Sequence, residues 1–189
     1  MSKKYFSLLS SLPMLRMGEA PGISMDEFLS SCSVFIRGEK WDLLCRLNLV
    51  PQKNCLFAEN TLAAEYYQWE NALRNSIARL RAAKLGNNFE QFIRHETEFE
   101  ISANRSAAAA YAMENPLERE RVLDTERWNK IEELELGEIF SFDLVCAYCL
   151  KLQIVSKWST RNQDQAKVNL EQAAGNVRAS GTEPEHSLS

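Results

Sequence analysis

Leu62-Ala63-Ala64-Glu65-Tyr66-Tyr67-Gln68-Trp69-Glu70-Asn71-Ala72-Leu73-Arg74-Asn75-Ser76-Ile77-Ala78-Arg79-Leu80-Arg81-Ala82-Ala83-Lys84-Leu85-Gly86 is the stretch that decides the fold class. Leu62, Tyr66, Trp69, Leu73, Ile77 and Leu80 recur at steps of four or three, the spacing that puts side chains on one face of an α-helix. The stripe lasts about five turns, and Gly86-Asn87-Asn88 supplies a C-terminal stop. A helix over 59–85 follows, with Glu59 or Asn60 as its cap.

The same period recurs on both sides. Ser24-Met25-Asp26-Glu27 reads as a capping box opening a helix over 24–36. Gly38 ends it, and a short helix is expected over 39–48. Residues 1–22 form a short apolar segment punctuated by Leu12-Pro13 and Ala20-Pro21-Gly22. Towards the C-terminus, 89–113 reads as a helix whose Ala107–Ala110 run would let a neighbour pack closely. Pro116 fits the first turn of a helix over 116–134. A last helix over 141–158, started by Ser141 or Asp143, is apolar on most sides and is expected to be the most buried. The expected fold is therefore all-α, a bundle of about six or seven helices. One domain should span 1–160, with a polar extension and a disordered tail over 161–189. Up to about 175 that extension could continue as an exposed helix.

Composition agrees. Seven Gly and five Pro are too few for a turn-rich β fold, and 45% apolar residues suffice for a core. The net charge of −4 carries no nucleic-acid signature. No apolar run approaches the roughly 18 residues that span a bilayer, so no membrane insertion is expected. Lys3-Lys4 before an apolar stretch resembles a signal peptide, but serines, Pro13 and Arg16 interrupt it and no small-x-small cleavage site follows. Cys32, Cys45, Cys55, Cys146 and Cys149 have no framework spacing; each sits among apolar residues and reads as a buried free thiol in a reducing, cytoplasmic setting.

Candidate chemistry is sparse. Cys146-Ala147-Tyr148-Cys149 is a CxxC inside an apolar helix with no second ligand pair, so it reads as two core thiols. His95 beside Glu96 and Glu98 would be a general base or metal ligand only if the three converged in a pocket; on an amphipathic helix it reads as a solvated face. The glycines are scattered singly and cradle no phosphate. No enzyme activity, catalytic residue, cofactor or metal is expected. Charge is the more informative signal: residues 74–84 carry Arg74, Arg79, Arg81 and Lys84 without an acid, and 114–138 carry nine acids against four bases. The two segments either pair within the fold or meet partners. Tyr67 points away from the main stripe and is either an interface anchor or a second core contact.

Three segments carry a resemblance: Tyr5-Phe6-Ser7-Leu8-Leu9-Ser10-Ser11-Leu12-Pro13-Met14-Leu15; Tyr67 to Asn75 continuing through Arg79 to Gly86; and Pro116 to Asp124 with Arg127-Trp128, the acidic turn to Gly137 and Ala147 to Gln153. Together, over about residues 5–158, they resemble an uncharacterised family of helical proteins encoded beside the subunits of bacterial V-type ATPases. Leu73–Gly86 also resembles part of the C-type subunit of V/A-type ATPases (the d-type subunit in eukaryotes), a helical socket between rotor stalk and membrane ring. The resemblance implies a non-enzymatic accessory or structural component of such an ATPase, cytoplasmic and peripheral to the inner membrane. Its partners would be subunits of the central stalk or membrane ring, not nucleic acid. Contact candidates are Arg74, Asn75, Arg79, Arg81 and Lys84, with Tyr67 as anchor. The alternative is a free helical adaptor or regulatory protein-binding module unrelated to the ATPase.

Overall fold

The computed structural model describes residues 3–51, 61–86 and 99–180. Among them lie seven helices and no strand: α1 (Lys3–Ser11), α2 (Met25–Phe35), α3 (Glu39–Arg46), α4 (Leu62–Leu85), α5 (Glu100–Tyr111), α6 (Pro116–Glu135) and α7 (Phe142–Ser180). The expected all-α class holds. Of the helix expected over 89–113, residues 89–98 lie outside the described residues, as does the expected tail beyond 180.

Helix ends follow the local chemistry. Ser24 and Glu27 close the capping box of α2 reciprocally. Thr61, not the expected Glu59 or Asn60, caps α4 by accepting from the Ala64 N–H. Gly86 ends α4 in the left-handed region at φ 68°, which a residue lacking Cβ adopts without strain. Asn115 caps α6 with Pro116 in its first turn. Ser141, rather than Asp143, accepts from Leu144 N at the start of α7. Asp143 instead accepts from Leu62 N and ties the starts of α4 and α7 together.

The α4 stripe is core at its start, where Leu62, Tyr66, Trp69 and Leu73 are buried; Ile77 and Leu80 are only half-buried. Against it lies α5, presenting Ala103, Ala107 and Ala110, all buried. Small side chains let the two backbones approach, as the alanine run implied. Ser76 Oγ donates to Asn104 Oδ1 across this contact at 2.6 Å.

The expected burial of α7 also holds: Val145, Cys146, Ala147, Cys149, Leu150, Leu152, Ile154, Val155 and Trp158 are all inside. Helices α1, α2 and α3 cover one side of α7, and α4 and α6 cover the other. The apolar segment before residue 22, expected only to be apolar, contains α1, whose Tyr5 and Leu8 are buried. On the α2 side Phe28 stacks on Tyr148 with centroids 5.2 Å apart. Tyr148 donates its hydroxyl to Pro13 O at 2.9 Å, which holds the N-terminal loop on α7. The 47–49 segment is pinned from both sides. Gln153 of α7 donates to Leu47 O and accepts from Leu49 N, and Tyr66 of α4 donates to Leu49 O.

After Trp158 the side chains of Thr160, Arg161 and Asn162 are exposed or nearly so, yet the helix continues to Ser180. It thus extends beyond 175, the limit expected from sequence. Its 39 residues make it about 58 Å long.

Candidate functional site: a buried ionic cluster between α4, α6 and α7

The charged residues that the fold brings together are not the ones expected. Glu70 on α4 and Asp124 on α6 are both wholly buried, and Arg127 on α6 lies between them. Arg127 Nε donates to Glu70 Oε2 at 2.9 Å and Nη2 to Glu70 Oε1 at 2.7 Å, a two-pronged pair. Its Nη1 donates to Asp124 Oδ1 at 2.9 Å. Arg74 Nε adds a bond to Glu70 Oε1 at 3.0 Å. The other side of Asp124 is taken by α7: Trp158 Nε1 donates to Oδ2 at 2.8 Å, and Lys157 pairs with the same oxygen.

Every oxygen of both carboxylates therefore has a donor, which is the condition for keeping ions out of water. Burial alone would lower the Arg127 pKa. Glu70 outweighs it by charge and hydrogen bonding, with Asp124 adding to it, so the guanidinium is held more firmly protonated than usual. Tyr66, packed beside this cluster, has its pKa pushed well up by burial and then by the Glu70 charge. A carboxylate whose oxygens are all engaged by donors is poorly placed to accept a proton from a substrate. The arrangement is suited to clamping three helices in register.

The clamp continues along α6 and α7 as two tryptophans beneath cations. Lys151 lies 5.0 Å from the Trp128 ring centroid and pairs with Glu132 and Glu135. Trp128 Nε1 donates to Glu132. Around Trp158 lie Arg121 and Arg161, each at 5.2 Å, and Lys157 at 5.6 Å. Lys157 and Arg161 also hold Glu120. Burial pulls the Glu120 pKa up, but these two hydrogen-bonded cations win and leave it below its ordinary value.

The acids of α6 are thus paired chiefly with α7 and within α6. The expected alternative, pairing with the basic end of α4, is not what the described side chains do; the ionic link between α4 and α6 runs from acid Glu70 to base Arg127. The contact candidates divide accordingly. Tyr67 is a core residue at 6% exposure whose hydroxyl accepts from Asn48 N, so the anchor reading gives way to the core reading. Asn75 is also buried, and a partner cannot reach it in this fold. Arg74 is committed to Glu70. Arg79 is half-buried, and Arg81 and Lys84 are exposed.

Sequence reasoning does not bring Glu70, Asp124 and Arg127 together, although a signal exists. Glu70 lies four residues after Tyr66 and three before Leu73, on the edge of the apolar stripe. Asp124 lies four before Trp128 and seven before Ile131 on another. A carboxylate at such a position is stable only with a partner.

The thiols form a second interior feature. Cys32 on α2 and Cys146 and Cys149 on α7 are buried and free, as expected for the CxxC. Burial pushes Cys32 up to about 12 and Cys149 to about 11, and Cys146 well above its ordinary value, so all three are neutral thiols. Cys45 departs from expectation: it is exposed on α3. No group of three or more potential metal ligands converges among the described residues. His95, with Glu96 and Glu98, and Cys55 lie outside the described residues. No helix among the described residues is long and apolar enough to cross a membrane.

A family model described as a protein of unknown function, DUF2764, matches residues 105–172. A DUF2764 domain is found there. This stretch holds most of α5, all of α6, and α7 to a point beyond Trp158. It therefore includes the α6–α7 part of the ionic cluster and reaches past the 158 limit of the sequence resemblance. No curated protein and no solved structure matches the chain.

Proposed function

We propose that this protein is a non-enzymatic accessory or structural component of a bacterial V-type ATPase, cytoplasmic and peripheral to the membrane. The observation that carries the reading is a single helix, α7, locked into the bundle by the ionic cluster and continuing past Trp158 to Ser180. A clamped helix of this length is a rigid element for joining parts of a machine. The resemblance of Tyr5–Gln153 to proteins encoded with such ATPases supplies the identity of the machine. The exposed Arg81 and Lys84, beside Leu85 at 72% exposure, give the end of α4 the mixed apolar and cationic character of a docking point.

Copurification of the tagged full-length chain tests this. Subunits of the ATPase stalk or membrane ring should accompany it, and Arg81→Gln with Lys84→Gln should weaken the association. A clean monomer, free of such subunits at low salt in mild detergent, would exclude the reading.

A further inference from the structure

Beside the ionic cluster, on the solvent side of Trp158, lies a cavity of about 370 Å³. It is lined by Met17 and Gly18 of the N-terminal loop, Arg121 and Thr125 of α6, and Trp158 and Asn162 of α7. Its size falls in the range of small-molecule sites. The walls are of two kinds. Met17 and the Trp158 ring are apolar. Arg121 and Asn162 carry hydrogen-bond donors, whereas the Thr125 hydroxyl is already committed to Arg121 O.

Arg121 differs from the other two cations around Trp158. Lys157 is taken by Glu120 and Asp124, and Arg161 by Glu120. Among the described residues Arg121 meets no carboxylate. Its guanidinium lies against the indole, which covers a face and leaves the N–H edges to bond. Around the ring, Lys157 and Arg161 are held by Glu120 and Asp124, and Asp124 is shared with Arg127, so among the described residues Arg121 is the cation there without a carboxylate.

We propose that this cavity binds a small organic monocarboxylate, its carboxylate on the Arg121 fork and the Asn162 amide, its apolar body against Met17 and Trp158. A single planar guanidinium matches a carboxylate two bonds to two. Met17 and the Trp158 ring offer an apolar wall that an organic acid can use and inorganic phosphate cannot. The site stands apart from the ATPase reading and needs no macromolecular partner.

The test is titration of the isotope-labelled full-length protein with benzoate, followed by NMR at the Trp158 indole, the Asn162 amide and the Arg121 Nε–H. Saturable shifts at these three groups are expected. Arg121→Gln should weaken binding at least tenfold. Asn162→Leu, at an exposed position where folding is spared, should do the same by filling the cavity without a change of charge. Benzamide, the neutral isostere, should bind at least tenfold more weakly, and so should inorganic phosphate. Absence of saturable shifts, equal binding of benzoate and benzamide, or retention of affinity in Asn162→Leu would overturn the site. Phosphate binding as tightly as benzoate would overturn the carboxylate assignment. An equal loss in Arg81→Gln, on a different helix, would reduce the effect to general charge and overturn it too.

Discussion

The two sides of α7 solve the same packing problem with opposite chemistry. Towards α2 the interior is neutral: Phe28 stacks on Tyr148, and Cys32, Cys146 and Cys149 are thiols held protonated by burial. Towards α4 and α6 it is ionic: Glu70, Arg127, Asp124 and Lys157 form a connected chain closed by the Trp158 indole. Neutral packing tolerates slight changes of position, since dispersion is non-directional. An ion chain does not, because each donor must meet its acceptor. The neutral side supplies apolar burial, and the ionic side fixes register.

The sharpest way to break this contrast is Arg127→Ala. Two buried carboxylates then lose a shared partner, and a loss of about 3–5 kcal/mol is expected in denaturant titration. Glu70→Met combined with Arg127→Leu should cost less than Arg127→Ala alone, because no unpaired charge remains on Glu70. A double variant as damaging as the single one would mean that packing, not charge, holds this side together.

A smaller effect probes the neutral side. Cys146→Ser places a hydroxyl in an apolar site and should cost about 1–3 kcal/mol. Cys146→Ala should cost less despite removing more volume. If serine proves the milder change, Cys146 itself has a polar partner and the contrast fails.

Near neutral pH these last variants should do least, and their effects emerge in the pH dependence, where the two sides should respond at opposite ends. Cys32 has its folded pKa raised from 9.0 to about 12, so its contribution is fully present below pH 9 and is lost as pH rises towards 12. Glu120 has its folded pKa lowered, so its contribution is present above about pH 4.5 and is lost as pH falls through the lowered value. Urea midpoints across pH should therefore show Cys32→Ala flattening the alkaline limb alone and Glu120→Gln the acidic limb alone. Both variants moving the same limb would contradict the division.

What can be read along the chain is set by local rules. The three-and-four spacing of Leu62 to Leu80, the Ser24–Glu27 capping box, Pro116 in its first turn and the apolar character of 144–155 each act within a few residues, and each became the expected helix. Thr61 replaces the expected cap because α4 begins at Leu62, the first residue of the apolar stripe, and a cap must stand directly before it. The length of α7 exceeds expectation for a related reason: polar residues after Thr160 continue a helix as readily as they end one.

What the sequence by itself determined is the helices from α2 onward and the neutrality of the CxxC, since period, caps and apolar neighbours are properties of adjacent residues; α1 stayed an apolar segment until it packed. Only the tertiary structure decided which charges meet. Glu70 and Arg127 are 57 residues apart in the chain and Asp124 and Trp158 are 34 apart, and the place of Glu70 and Asp124 beside an apolar stripe signals burial without naming the partner. Tyr67 stays open in sequence for the same reason: its fate depends on whether the 47–49 segment comes to lie over it, and the Asn48 N–H that it accepts from does so. Ion pairing and burial across helices depend on where those helices end up, and that is fixed only when the whole bundle closes.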